Sequence, residues 1–121
     1  MATTVLIVDD HPGFRASAKL LLQSEGFKVV GEAEDGRSAI EQSAALAPDL
    51  ILLDVQLPDI DGFEVASRVS NNEPRPAVIL ISSRDGGDFG PLVKASGARG
   101  FVGKAELSGE SLRSVLDASV N

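Results

Sequence analysis

Four apolar runs in this 121-residue chain end on a group that can do chemistry. Asp9 and Asp10 follow "VLIV", Asp54 follows "LILL", Ser82 follows "VILI", and Lys104 follows "GFVG". If those runs are strands ending at one edge of one sheet, carboxylates, a hydroxyl and an ammonium share a small volume. Carboxylates gathered that closely repel one another and raise each other's pKa unless a cation sits among them. A divalent ion is the simplest remedy. Mg²⁺ favours oxygen ligands, keeps several waters, and usually takes one or two carboxylates together with phosphate. A site of that kind suits phosphoryl chemistry, in which a carboxylate beside the metal can act as nucleophile and become an acyl phosphate. Asp54 is the candidate nucleophile. Lys104 offers a compact positive charge for phosphate, and Ser82 offers a hydroxyl that can donate to a phosphoryl oxygen.

The elements that must position these groups are legible in the pattern. Strands are expected at Val5 to Val8, Val29 to Ala33, Leu50 to Leu53, Val78 to Ile81 and around Phe101-Val102, alternating with stretches of helical period. Val/Ile/Leu runs without alternation suit strands buried on both faces. The first helix starts near Pro12, presents Phe14, Ala18, Leu21 and Leu22, and stops at Gly26. The second starts at Asp35-Gly36, presents Ile40, Ala44 and Ala47, and ends before Pro48. The third follows Asp61-Gly62 with Phe63, Ala66 and Val69, and the fifth follows Ser108 with Leu112, Val115, Leu116 and Val120. The fourth, in "DGGDFGPLVKASG", carries Gly86, Gly87, Gly90 and Pro91 where a helix should begin, so it is expected to be short, late or mobile.

Strand and helix in alternation imply a parallel sheet covered on both faces with right-handed crossovers. The weaker second and fifth strands belong at the edges. That gives the order 2-1-3-4-5, a flavodoxin-like doubly wound (βα)5 fold, in which ligands sit beyond the carboxyl ends of the strands where the order reverses. The crevice then falls where the first and third strands end, at Asp9, Asp10 and Asp54. Residues 1–121 are expected to form one domain, as their number suggests.

Composition narrows the partners. Against 11 Lys and Arg stand 18 Asp and Glu, a formal charge of −7 that disfavours gripping nucleic acid or an anionic membrane. Proteins and cations are the expected partners. The chain has no cysteine, no signal-peptide pattern at "MATTVLIVDD" and no apolar stretch of membrane-spanning length, so a soluble cytoplasmic protein is expected.

With these residues in place, the chain resembles the receiver domain of bacterial two-component response regulators over nearly its whole length. The resemblance rests on "LIVDDHP", "LLDVQLPDIDG", "VILISS" and "GARGFVGKAEL", in family order. It implies that Asp54 accepts a phosphoryl group from a sensor histidine kinase. It implies that Asp10, Asp54 and the Gln56 backbone carbonyl coordinate Mg²⁺, with Asp9 acting through metal-bound water. Ser82 and Phe101 stand at the family's switch positions, so the face formed by the fourth and fifth strands and helices is expected to change on phosphorylation, most of all residues 83–97. The pairing of "DDHP" with "GARGFVGKAEL" is most like receivers that precede a DNA-binding helix-turn-helix domain, which this chain does not include. Such a domain, or a second receiver in a homodimer, joins the kinase among the partners implied. The chain is expected to be excised from a longer regulator or to stand alone, and not to bind DNA by itself. Ala105 departs from the pattern, since a proline usually follows the lysine there, so the loop carrying Lys104 is expected to take a different path.

Other readings compete. Singly, Asp9-Asp10 could cap a helix, Asp54 could open a turn before Pro58, and Lys104 could be a solvated charge. His11 reads as a helix-entry residue, because Mg²⁺ prefers oxygen. A flavodoxin-like cofactor binder needs a hydroxyl-rich loop where Asp9-Asp10 stand. A haloacid-dehalogenase-type phosphatase carries Asp-x-Asp after its first strand. A phosphorylation-independent interaction domain that keeps the acidic pocket is the serious alternative.

Overall fold

Val5 to Val8, Leu50 to Leu53 and Ala77 to Ile81 carry no polar side chain, so strands made of them have to be covered on both faces. In the computed structural model, which describes residues 2–73, 75–83 and 89–118, these runs form the three inner strands. They are β1 (Thr4–Val8), β3 (Leu50–Asp54) and β4 (Ala77–Ser82), flanked by β2 (Lys28–Ala33) and β5 (Gly100–Gly103). All pairs are parallel and the order is β2-β1-β3-β4-β5. The expected fold and strand order are both observed.

Alternation along each strand splits the core in two. Val5, Ile7, Leu50, Leu52, Ile79 and Ile81 face one side, where they meet Ala18 and Leu22 of α1 (Pro12–Ser24) and Leu112 of α5 (Gly109–Ala118). Leu6, Val8, Ile51, Leu53, Val78 and Leu80 face the other. There they meet Ala39 of α2 (Gly36–Leu46) and Val65, Ala66 and Val69 of α3 (Gly62–Val69). The remaining helix on that side is α4 (Gly90–Ala95).

Helix ends follow the local chemistry. The Asp35 carboxylate accepts from Ser38 N at 2.8 Å and Asp61 accepts from Glu64 N at 2.8 Å, each satisfying an orphan N–H of the first turn. Gly26, at φ 92°, sits in the left-handed region just after α1.

Two expectations need comment. The face of α2 expected at Ile40, Ala44 and Ala47 is corrected: Gly36, Ala39 and Ser43 are the buried ones, Ile40 is half-buried, and Ala44 and Ala47 are exposed. The small residues win because they let the helix approach closely. A Cβ at Gly36 would overlap the Ile60 side chain and lie 2.9 Å from Val65. The fourth helix is short, six residues, and late, beginning only at Gly90. Of the residues on which the expectation of mobility rested, Gly90 and Pro91 open the helix, while Gly86 and Gly87 lie outside the described residues, as does Val120.

Candidate functional site

Register brings the strand ends level. Val8 pairs with Leu53, Asp54 with Ile81, and Ser82 with Gly103, so Asp9, Asp54, Ser82 and Lys104 all emerge at the carboxyl edge of the sheet. Ladder bonds continue past the strands and hold the backbone there: Asp9 N donates to Ala33 O at 3.0 Å and Val55 N to Ile81 O at 2.9 Å. Lys104 opens a short 3-10 turn, Lys104–Glu106, which carries Ala105.

From that turn the Lys104 ammonium reaches both inner carboxylates, 2.6 Å from Asp9 Oδ2 and 3.2 Å from Asp54 Oδ2. Its side chain is 16% exposed. Asp9 is fully buried and Asp54 nearly so, whereas Asp10 is exposed. The Gln56 N–H donates to Asp54 Oδ1 at 3.1 Å. The His11 ring Nδ1 lies 2.9 Å from Asp9 Oδ1 and 3.0 Å from Asp10 Oδ1. The expected role of His11 at helix entry is observed, as it is the N-cap residue of α1, but its ring also belongs to the acidic cluster.

These contacts set the protonation preferences. Burial pushes the Asp54 carboxyl up, as does the Asp9 charge, and the Gln56 N–H and Lys104 offset this only in part. Burial also pushes on Asp9, but the Lys104 ammonium and the His11 N–H and ring outweigh it and hold that carboxyl below the usual range. The Lys104 ammonium is held charged: burial opposes its charge, yet the two carboxylates more than compensate. Of the two buried carboxyls, Asp54 is the readier to take a proton.

The cluster fits a hard divalent cation. One ligand atom each from Asp9, Asp10, His11 and Asp54 lie within 4.8 Å of one another, mostly carboxylate oxygens, as Mg²⁺ prefers. Asp9 Oδ2 is buried, and the Lys104 ammonium at 2.6 Å is its ionic partner.

Three supports escaped the sequence reading. Arg15 donates through Nη1 to the Asp9 carbonyl at 2.6 Å and through Nε to Glu32 Oε1 at 3.1 Å, tying the acidic pair to the edge strand. Asp59 accepts from Gly36 N at 2.7 Å and Arg37 N at 2.9 Å, which lowers its pKa and bolts the loop after β3 to the start of α2. Phe14 lays its ring against the Lys104 ammonium, 4.5 Å from the centroid. Period-3.6 patterning sees Phe14 only as core, and nothing local marks Arg15 or Asp59, whose partners lie 6 and 23 residues away.

The switch positions lie on β4 and β5. Ser82 is buried at the end of β4. Phe101, half-buried on β5, stacks at 5.8 Å on Phe89, which in turn meets Phe63 at 5.6 Å. A run of rings thus joins β5 to the start of α4 and to α3.

The family described as response regulator receiver domain matches residues 5–117. Among curated relatives, NarL of Mycobacterium tuberculosis, by name a transcriptional regulatory protein, is 39% identical over 116 residues, covering 95% of this chain and 54% of that protein. BvgA of Bordetella pertussis, named for transcription regulation of virulence factors, is 34% identical over 119 residues, covering 98% of this chain and 55% of its own length. The chain thus spans about half the length of the curated relatives it matches. Among solved structures, the receiver domain of the same mycobacterial NarL superposes with a TM-score of 0.85 at 37% identity, covering 99% of this chain and 98% of that one. The response regulator domain of Thermotoga maritima CheB gives 0.82 at 28% identity, covering 100% and 98%. No helix among the described residues is long and apolar enough to cross a membrane. The chain therefore belongs to the response regulator receiver domain family.

Proposed function

We propose that this receiver takes a phosphoryl group on Asp54 from a sensor histidine kinase in a Mg²⁺-dependent reaction. The observation that carries the reading is the Lys104 ammonium, held within 3.2 Å of both Asp9 and Asp54 at a strand edge crowded with carboxylates. An Asp54 oxygen attacks the phosphorus of a phosphohistidine, the P–N bond breaks, and the imidazole leaves with the electron pair and takes up a proton. Lys104 is already aimed at Asp54 Oδ2, so it meets the new phosphoryl oxygens without crossing the pocket. Asp10, Asp54 and the Gln56 carbonyl would hold Mg²⁺ directly and Asp9 through water; when bound, the ion neutralises charge on the phosphoryl oxygens.

Ser82 then donates to a phosphoryl oxygen. To reach it Ser82 shifts at the end of β4, which lets Phe101 change its contact with Phe89 and alters the face built from β4, α4, β5 and α5. The kinase, a DNA-binding output domain and a second receiver are the partners this reading carries. The net charge of −7 argues that the receiver itself leaves nucleic acid alone.

Mass spectrometry after incubation with a small phosphodonor and Mg²⁺ tests the assignment. One base-labile phosphoryl adduct is expected in wild type and none in Asp54→Asn. An adduct at the wild-type rate in the variant would exclude Asp54, and none in either protein would favour an interaction domain that works without phosphorylation.

A further inference from the structure

We propose that Phe14 is a positioning residue that holds the Lys104 ammonium between Asp9 and Asp54 by the face of its ring; this rests on reading Lys104 as the cation of the phosphoryl site. Three groups surround the ammonium: Asp9 Oδ2 at 2.6 Å, Asp54 Oδ2 at 3.2 Å, and the Phe14 ring at 4.5 Å to its centroid. The first two are charges that a cation or a phosphoryl group will disturb. The ring is not. A lysine reaches its target on a flexible four-carbon stem, so a fixed third contact narrows where the charge can sit while its anionic partners change.

Burial gives the ring contact weight. The Lys104 side chain is 16% exposed, so aromatic carbon stands where an ammonium would otherwise keep water, and a cation over a ring attracts more strongly when desolvated. Phe14 is itself held, half-buried against the cluster that includes Ile7, Leu22, Ile81 and Val102. Its neighbour Arg15 clamps the Asp9 carbonyl at 2.6 Å. One turn of α1 thus fixes the backbone of one carboxylate and the cation that pairs with it. Packing alone asks only for an apolar side chain of similar size at position 14, and a leucine would meet that need. The aromatic face is what leucine lacks.

Comparing Phe14→Leu with Phe14→Trp on the full chain separates the two roles. Leucine keeps apolar volume and loses the face, and tryptophan restores it. Hydrogen exchange of the Lys104 ammonium, followed through its ¹⁵Nζ resonance, should quicken about three- to tenfold in Phe14→Leu and return towards wild type in Phe14→Trp. Adduct formation on Asp54 from a small phosphodonor with Mg²⁺ should slow and recover in parallel. Thermal unfolding checks that each variant folds, and Phe14→Met replaces Phe14→Leu if the latter does not. Wild-type ammonium exchange in a folded Phe14→Leu or Phe14→Met would overturn the proposal, and so would faster exchange that Phe14→Trp leaves unrepaired. Should no protein, wild type included, gain an adduct, the phosphoryl reading fails, while ammonium exchange still decides the role of Phe14.

Discussion

Replacing Asp54 by Asn should make the protein more stable, not less, in buffer free of divalent cations. At an effective dielectric of about 20, the attraction of Asp54 to the Lys104 ammonium at 3.2 Å is about 5 kcal/mol. Ligand atoms of Asp9 and Asp10 lie within 4.8 Å, so at the same dielectric each repels it by at least about 3 kcal/mol, the Asp10 share being cut to roughly half by solvent. Attraction and repulsion therefore nearly cancel. What remains is the cost of burying the charge, several kcal/mol for a well-buried ion, softened here by one backbone N–H from Gln56. An asparagine keeps the acceptor for that N–H and sheds the charge. We expect a net gain of about 1–2 kcal/mol, or roughly 3–10 °C in Tm for a domain of this size.

The sign with pH follows from the raised Asp54 pKa. The folded state holds this proton more tightly than the unfolded chain, so wild type loses stability as pH rises from the ordinary carboxylate value through the raised one. The uncharged amide of the variant has no such loss. The advantage of Asp54→Asn should be full above that window and shrink as pH falls back through it, where the carboxyl of wild type is protonated. Thermal unfolding by circular dichroism in EDTA, repeated down the pH scale, measures both. A variant no more stable than wild type at pH 7 would show that the Lys104–Asp54 pair outweighs burial and repulsion, and would refute the reasoning.

Asp10→Asn should weaken Mg²⁺ binding about tenfold or more in an NMR titration and Asp9→Asn less; equal affinity in wild type and Asp10→Asn would remove Asp10 from the coordination shell. Gly62→Ala should destabilise by about 1–3 kcal/mol in urea unfolding, because its Cβ would overlap the Asp54 carbonyl oxygen and lie 2.9 Å from Val55 Cα, and an unchanged midpoint would contradict that crowding. Ser82→Ala should still accept phosphate on Asp54, yet residues 89–97 should respond weakly to a beryllofluoride phosphoryl mimic in amide hydrogen exchange. A response equal to wild type would rule out the route through Ser82.

What the sequence shows of the fold is whatever strand period and charge can signal. Uninterrupted runs such as Leu50 to Leu53, alternating with stretches of helical period, read as inner strands, so the order follows, and with it the convergence of Asp9, Asp54, Ser82 and Lys104 on one edge. Periodicity misplaces the face of α2 because it weighs side chains by hydrophobicity, whereas the buried positions are the small residues Gly36, Ala39 and Ser43, and at Gly36 close packing against Ile60 leaves no room for a side chain. Ligand preference alone gives His11 its place at helix entry and misses its ring between two carboxylates.

The groups that hold the site differ in kind from those that form it. Asp9, Asp54 and Lys104 are fixed by strand ends, so a chemically distinctive residue directly after an apolar run announces each of them. Their supports, Phe14, Arg15 and Asp59, act across elements: a ring on a lysine 90 positions later, a guanidinium on a carbonyl, a loop carboxylate on the first N–H groups of α2. Each is an ordinary residue where it stands in the chain. Two of the three belong to one turn of α1, next to His11, so that turn touches Asp9 through backbone and ring, Asp10 through the imidazole, and Lys104 through the phenyl face. Changes at His11, Phe14 or Arg15 should therefore act on the carboxylates and the ammonium together, because these three side chains of the α1 start reach Asp9, Asp10 and Lys104 at once.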